Sequence, residues 1–182
     1  QPVPFPQADI LITEATYGNR LHQSIKDSED ELLEIMRNTC INKKGKLIIP
    51  AFSVGRTQEI VYILDQMSTA GILPKIPVFV DSPLAVSATN IFRLHPECFN
   101  EEMREYMVQD PDPFGFDNLH YIRTIDESKK LNNFHQPCVI ISASGMMEAG
   151  RVKHIWLTIS IIPKLQFSLL DIAPQELLEP KL

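Results

Sequence analysis

The segment SVGR, residues 53–56, combines a hydroxyl, a glycine and a guanidinium directly before a predicted helix. Ser53 can hydrogen-bond a ligand, Gly55 lets the backbone approach it closely, and Arg56 can donate two parallel hydrogen bonds to a phosphate. A local ion pair between Arg56 and the nearby Glu59 explains the arginine equally well. The sequence leaves these two roles for Arg56 open.

The segments DSPLA and SASGMM offer further hydroxyls and backbone N–H groups at predicted helix starts. Ser82 is a candidate N-cap before Pro83, and Ser144 and Gly145 follow an apolar run. Met146 could line a pocket, although core packing is the favoured role for the adjacent methionines. One such turn is weak evidence, because Ser-Pro caps are common. Several turns that converge on one sheet edge would form an anion-binding site.

Glu14 follows the apolar run DILIT, residues 9–13, which we predict to be a buried strand. A carboxylate at the end of a strand can orient a histidine or accept a proton, but its position alone favours a structural acid in a loop. No pair among the five histidines has a spacing typical of zinc ligands, so we predict no zinc cluster in this chain. These histidines are His22, His95, His120, His135 and His154.

Short apolar runs alternate with amphipathic segments along the chain, which predicts a parallel sheet with helices on both faces. In such Rossmann-like folds, ligands bind at the carboxyl ends of the strands. Ser28 and Glu31 form a predicted capping box, and Leu84, Ala88 and Ile91 mark the predicted buried face of a later helix. The other predicted strands are KLIIPAF (46–52), IPVFV (76–80), LHYIRTI (119–125) and PCVIIS (137–142).

The composition excludes some classes of function. A formal charge of −6 argues against a broadly basic nucleic-acid-binding face, so a polyanion would need a local site. Cys40, Cys98 and Cys138 are widely spaced without a CxxC pair, which favours reduced thiols and a cytoplasmic location. The most apolar segment, near the C-terminus, is shorter than a membrane span and contains Pro163 and Lys164, so we predict no membrane association.

The chain resembles the β-CASP branch of the metallo-β-lactamase superfamily, a family of RNA-processing nucleases. The resemblance implies a β-CASP cap inserted into a metallo-β-lactamase domain that holds two zinc ions. Single-stranded RNA would pass through the cleft, zinc-bound hydroxide would attack the phosphodiester, and a late histidine would protonate the leaving group. Four segments carry the resemblance across residues 9–154: DILITEATYGNRLH, IIPAFSVGRTQEIVYIL, VDSPLA and VIISASGMMEAGRVKH.

The resemblance also implies roles for individual residues. Glu14 matches the family acid that supports the late histidine and does not bind metal. The polar turns match segments that face RNA in the family's cleft. We therefore predict substrate contacts for Tyr17, Ser53, Gly55, Arg56, Ser82, Ser144, Gly145, Met146 and Arg151.

The chain departs from the family pattern at both ends. The HxHxDH zinc motif would precede residue 1, and residues 155–182 contain no histidine. We therefore predict a fragment with the end of the metallo-β-lactamase core at 1–22, the β-CASP domain at 23–154 and an unrelated tail at 155–182. Zinc would belong to the full-length protein, and this chain alone would bind none and be inactive. The alternative is a non-catalytic module that binds RNA or protein, whereas a Rossmann-like small-molecule enzyme is disfavoured because no GxGxxG follows a strand.

Residues 155–182 also contain no Gly, Arg, Asn, Cys or Val. We hypothesise that a single-base deletion after the codon for His154 shifted the reading frame. If one base is restored there, codons can be chosen that encode the observed residues 155–182 in the present frame and HLANNINNPKTTILIVGYCAPGTLGAKI in the restored frame. That string resembles the family's continuation. The shifted tail would be loosely packed or helical by local propensity. The sheet would lack its next strand, which would leave an unpaired edge open to self-association and make the protein poorly soluble.

Overall fold

Strands and helices alternate in the computed structural model, which describes residues 7–13, 15, 18, 25–160 and 167–169. This order confirms the predicted α/β class. The helices are α1 (Ile25–Met36, continued by a π-helical segment Arg37–Asn42), α2 (Arg56–Thr69), α3 (Pro83–Leu94), α4 (Glu101–Tyr106), α5 (Ile125–Asn132) and α6 (Arg151–Ser160). The strands are β1 (Lys46–Pro50), β2 (Val78–Asp81), β3 (Leu119–Ile122), β4 (Cys138–Ser142) and β5 (Phe167–Leu169).

All the paired strands run parallel, in the order β3-β2-β4-β1-β5. β4 comes late in the chain but lies between β1 and β2. The register places Ser142 opposite both Pro50 and Asp81, so three strands end at the same level. The loops that follow these three strands are therefore neighbours at one edge of the sheet.

Side chains that alternate along the central strands fill two separate cores. Leu47 and Ile49 face one side of the sheet, where α1, α2 and α3 cover them. Ile48 and Ile140 face the other side, where Leu131 of α5 and residues of α6 cover them. The prediction of helices on both faces is therefore confirmed.

Local signals define several helix ends. Ser82 caps α3 by accepting a hydrogen bond from the backbone N–H of Ala85 at 3.2 Å, with Pro83 in the first turn. Gly71, with φ +70°, follows the end of α2 in a conformation that favours glycine. Thr124 and Glu127 form a reciprocal capping box at the start of α5.

Two sequence predictions are wrong near the N-terminus. Residues 9–13 form no strand, and Ile10 and Ile12 are 81% and 93% exposed. Within the described residues, no other strand pairs with this segment, so its apolar side chains lack a sheet to cover. The capping box at Ser28 is also wrong, because α1 begins at Ile25 and Ser28 lies inside the helix.

The predicted buried face of α3 needs correction. Leu84 and Ile91 are 62% and 58% exposed, whereas Ala85 and Ala88 are buried. Ala85 lies in the first core, and α3 follows β2 after the single residue Ser82. The prediction is confirmed for Ala88 and wrong for Leu84 and Ile91, so hydrophobic size alone misplaced the centre of the buried face.

The predicted absence of a strand beside β1 is also wrong. Phe167–Leu169 pair in parallel with Lys46–Ile48, so this edge of β1 is not open along these three positions. Ile155, predicted to lie in a loosely packed tail, is 1% exposed in the second core. The predicted helical character holds as far as Ser160, where α6 ends. Among the described residues, no helix is long and apolar enough to cross a membrane.

Candidate functional site at the carboxyl edge of the sheet

The carboxyl ends of β1, β4 and β2 form a connected edge. The backbone N–H of Ala51 donates to the carbonyl of Ser142 at 3.0 Å. The Ser142 hydroxyl in turn donates to the carbonyl of Asp81 at 3.0 Å. The three following turns, which contain most of the predicted site residues, are thereby held at fixed relative positions.

Ser53 and Ser82 meet at this edge. Their hydroxyl oxygens are 2.9 Å apart, although they follow different strands and are 29 residues apart in sequence. Gln58 braces the turn, because its amide donates to the Ser53 carbonyl at 3.2 Å and its side-chain oxygen accepts from the Gly55 N–H at 2.8 Å. Sequence analysis missed Gln58. The available signal was a glutamine three residues after Gly55, a spacing at which its side-chain oxygen can accept from the Gly55 N–H, as in one half of a capping box.

Arg56 lies at the first position of α2, three residues after Ser53. Its guanidinium forms an ion pair with Glu59 at 2.9 Å, so the local pairing that the sequence left open is present. Both side chains are largely exposed, at 48% and 62%, and an exposed pair of this kind contributes little stability. A ligand phosphate can therefore compete with Glu59 for the guanidinium.

Arg151 is held inside the fold by a buried carboxylate. Its Nη1 donates to Asp81 Oδ1 at 2.6 Å, and its Nη2 donates to the carbonyl of Arg123 at 3.0 Å. Ser128 donates to the other oxygen of Asp81 at 2.6 Å. This network ties the start of α6 to the end of β2, which suits a positioning role for Arg151. Sequence analysis missed Asp81, although its place as the last residue of β2 marked it as an edge residue.

The turn after β4 brings Ser144, Gly145 and Met146 to the same edge. The Ser144 hydroxyl donates within its own loop, to the carbonyl of Ala149 at 3.3 Å. A side chain on Gly145 would lie 3.2 Å from the ring of Phe52, so the glycine allows the two turns to touch. Met146 is 45% exposed, so the core role favoured for it is wrong, whereas Met147 packs against the second core.

Glu14 and Tyr17 lie outside the described residues. Within the described part of the chain, no group of three or more His, Cys, Asp or Glu side chains could hold a metal ion. Burial raises the pKa of Cys40 to about 11 and that of Cys138 to about 12, which keeps both thiols protonated at neutral pH. The described residues therefore do not fit the zinc pair that the resemblance implies.

Comparison with known proteins identifies the family. A model of the Beta-Casp domain matches residues 57–163, which is more than half of the chain and includes β2, β3, β4 and all but the first residue of α2. The chain belongs to the β-CASP family. The resemblance and fold class predicted from the sequence are thereby confirmed, whereas the predicted domain boundaries stay a prediction.

Individual relatives agree with this assignment. The β-CASP chain is 35% identical over 149 residues to ribonuclease TTHA0252 of Thermus thermophilus, with 82% of this chain and 34% of the relative aligned. It is 36% identical over 151 residues to transcription termination factor FttA of Methanosarcina mazei, covering 81% and 23% of the two chains. It is 29% identical over 163 residues to cleavage and polyadenylation specificity factor 73 of Drosophila melanogaster, covering 89% and 23%. The chain thus spans about a third or less of the length of these relatives.

Proposed function

We propose that this chain is the RNA-holding cap of a zinc-dependent metallo-β-lactamase/β-CASP ribonuclease that hydrolyses phosphodiester bonds in single-stranded RNA. The observation that carries the proposal is the meeting of Ser53 and Ser82 at one edge of the sheet, with Arg56 three residues after Ser53 at the start of α2. The names of its relatives, a ribonuclease and a cleavage factor among them, support an RNA substrate.

The chemistry of the edge suits an RNA backbone. The two hydroxyls share one hydrogen bond, which leaves one hydroxyl of the pair to donate to a phosphate, together with the partly exposed guanidinium of Arg56. The negative overall charge favours binding at a local site over binding to a broad basic face. We extend the proposed substrate contacts to Gly55, Ser144, Gly145 and Met146 at the same edge, and to Tyr17. Arg151 would act by holding the start of α6.

We further propose that the zinc pair belongs to the metallo-β-lactamase part of the full-length protein, with Glu14 supporting the histidine that acts late in the reaction. When bound, zinc would supply the hydroxide that attacks the phosphodiester. The chain alone would then bind RNA without cleaving it. The free thiols Cys40, Cys98 and Cys138 support the proposed cytoplasmic location.

RNA binding by the 182-residue chain tests the proposal. Fluorescence anisotropy with labelled RNA should show tighter binding of a single strand than of a duplex. Arg56→Gln should weaken RNA binding by about threefold to tenfold. It should also make the slope of the logarithm of the binding constant against the logarithm of salt concentration shallower by about 0.7. Glu59→Gln should strengthen binding because it removes the competing carboxylate.

Lys75→Gln is the matched control, since Lys75 precedes β2 at the opposite edge of the sheet and its loss changes net charge equally. An equal effect of Lys75→Gln and Arg56→Gln would contradict a local site. Cleavage of labelled RNA by the purified chain with added zinc would contradict the proposed inactivity.

A further inference from the structure

Phe52 differs from the other aromatic residues whose side chains the structure describes. It is 57% exposed, whereas each other described Phe, Tyr or Trp side chain is buried or half-buried. Phe52 directly follows the buried Ala51 at the end of β1 and precedes Ser53. Among the described side chains, this is therefore the large aromatic ring most open to solvent, and it directly precedes the proposed phosphate contact Ser53.

The position of this ring is well defined. The carbonyl of Phe52 accepts hydrogen bonds from the Thr57 hydroxyl at 2.7 Å and from the Thr57 N–H at 3.2 Å. On one side the ring lies against Gly145, where an added Cβ would be 3.2 Å from both Cδ2 and Cε2. A ring supported on one side and open on another loses little conformational entropy when a ligand covers it.

The neighbours of Phe52 divide into apolar and polar groups. Val54, two residues after Phe52, and Met146, next to Gly145 in sequence, are 57% and 45% exposed. Ser53 and Arg56 provide polar groups in the turn that contains Phe52, and Ser82 joins them from the turn after β2. Sites for single-stranded nucleic acid combine these features, because aromatic rings stack on unpaired bases while polar groups hold the backbone.

We propose that Phe52 is a stacking platform for one unpaired base of an RNA strand, whose adjoining phosphate is held by Ser53, Ser82 and Arg56. This proposal rests on the proposed function and adds the residue that selects single strands. A duplex could not use the platform, because its base faces are covered by neighbouring pairs. The stacking is sequence-tolerant, since every base has a π-face.

Binding of two probes to the 182-residue chain separates base contacts from backbone contacts. One probe is a labelled single-stranded RNA of about ten nucleotides, and the other is an abasic chain of the same length. Phe52→Ala should weaken binding of the RNA about tenfold and leave the abasic probe unchanged. Phe52→Trp should retain binding, whereas Phe52→Leu should resemble Phe52→Ala because leucine is apolar but cannot stack. Val108→Ala, at an 85% exposed site remote in sequence, should behave like wild type.

Each contrary result has a distinct meaning, once circular dichroism has confirmed that the variants are folded. Unchanged RNA binding in Phe52→Ala, with loss in Arg56→Gln, overturns the stacking platform and leaves the proposed RNA contact intact. Wild-type affinity in Phe52→Leu, or equal loss on the abasic probe, also overturns stacking. Failure of the wild-type chain to bind either probe overturns the proposed function and this inference together.

Discussion

Asp65 is a fully buried carboxyl group in α2. One of its oxygens accepts a hydrogen bond from the Tyr106 hydroxyl at 2.7 Å, while Oδ1 has no hydrogen-bond partner among the described residues. Burial, together with the charges of Asp110 and Asp112, raises the pKa of Asp65 from 3.8 to about 6 against the lowering effect of Tyr106. The folded protein therefore favours the protonated acid more than the unfolded chain does.

This raised pKa predicts how stability depends on pH. Between about pH 4 and pH 6 the folded state binds more protons at Asp65 than the unfolded chain, so the free energy of unfolding falls as pH rises. Asp65→Asn removes this titrating group. Relative to the variant, the free energy of unfolding of the wild type should fall by on the order of 2 kcal/mol across that pH range. Urea unfolding at several pH values measures the difference. Parallel pH profiles for the two proteins would rule out Asp65 as the source.

Gly150 occupies a position where both conformation and space require glycine. Its φ is +80°, and an added Cβ would lie 2.5 Å from the carbonyl oxygen of Ala143. Gly71 has a similar φ of +70° but nothing within 4 Å of an added Cβ. Gly71→Ala should lower the free energy of unfolding by about 1 kcal/mol because of backbone strain. Gly150→Ala should lower it by at least about 2 kcal/mol more because of the additional clash. Equal shifts of the urea midpoint would show that the loop before α6 relaxes freely.

At the scale of elements, the ion pair between Asp81 and Arg151 attaches α6 to β2. Asp81 is fully buried, so removing its partner leaves an uncompensated charge. Arg151→Met should lower the free energy of unfolding by about 3 to 5 kcal/mol, and Asp81→Asn in the same chain should recover part of this loss. Urea unfolding measures both changes.

The exposed pair Arg56–Glu59 is the internal control for this prediction. Arg56→Met should lower the free energy of unfolding by less than about 1 kcal/mol, because water already solvates both partners. A cost for Arg151→Met as small as that for Arg56→Met would mean that Asp81 is neutralised in another way.

At the scale of the whole molecule, the reading-frame hypothesis stays a prediction. The short β5 pairs with β1 at three positions, whereas the restored string contains the longer apolar run TTILIVGY. Replacing residues 155–182 by the restored string should raise Tm by several degrees and increase soluble yield, because a longer strand would bury more apolar surface. Thermal unfolding of the two chains measures the effect.

Sequencing the gene provides the independent check. An intact frame whose codons are incompatible with the restored string would end the hypothesis. A restored chain that is less stable than the present one would contradict its physical basis.

Much of the fold follows from local sequence signals. The strands near residues 46, 78 and 138 are continuous apolar runs, and such runs in an alternating α/β pattern indicate strands buried on both faces. The start of α3 is set by the Ser82 side chain, and the end of α2 is marked by the backbone conformation of Gly71, so both depend on residues within one turn. The motifs on the loops were enough to indicate the family. Each of these features is decided by residues that are close together in the chain.

Only the tertiary structure decided which distant groups meet. The insertion of β4 between β1 and β2 brings Arg151 to Asp81 and places Gly145 against Phe52. The same organisation leaves Phe52 exposed and provides no strand beside residues 9–13 among the described residues. Hydrophobic periodicity reports which side of an element faces a core, but it carries no information on which other element forms that core. The partner of the buried Asp81 and the exposure of the Phe52 ring both depend on which elements pack together. The sequence alone therefore did not determine them.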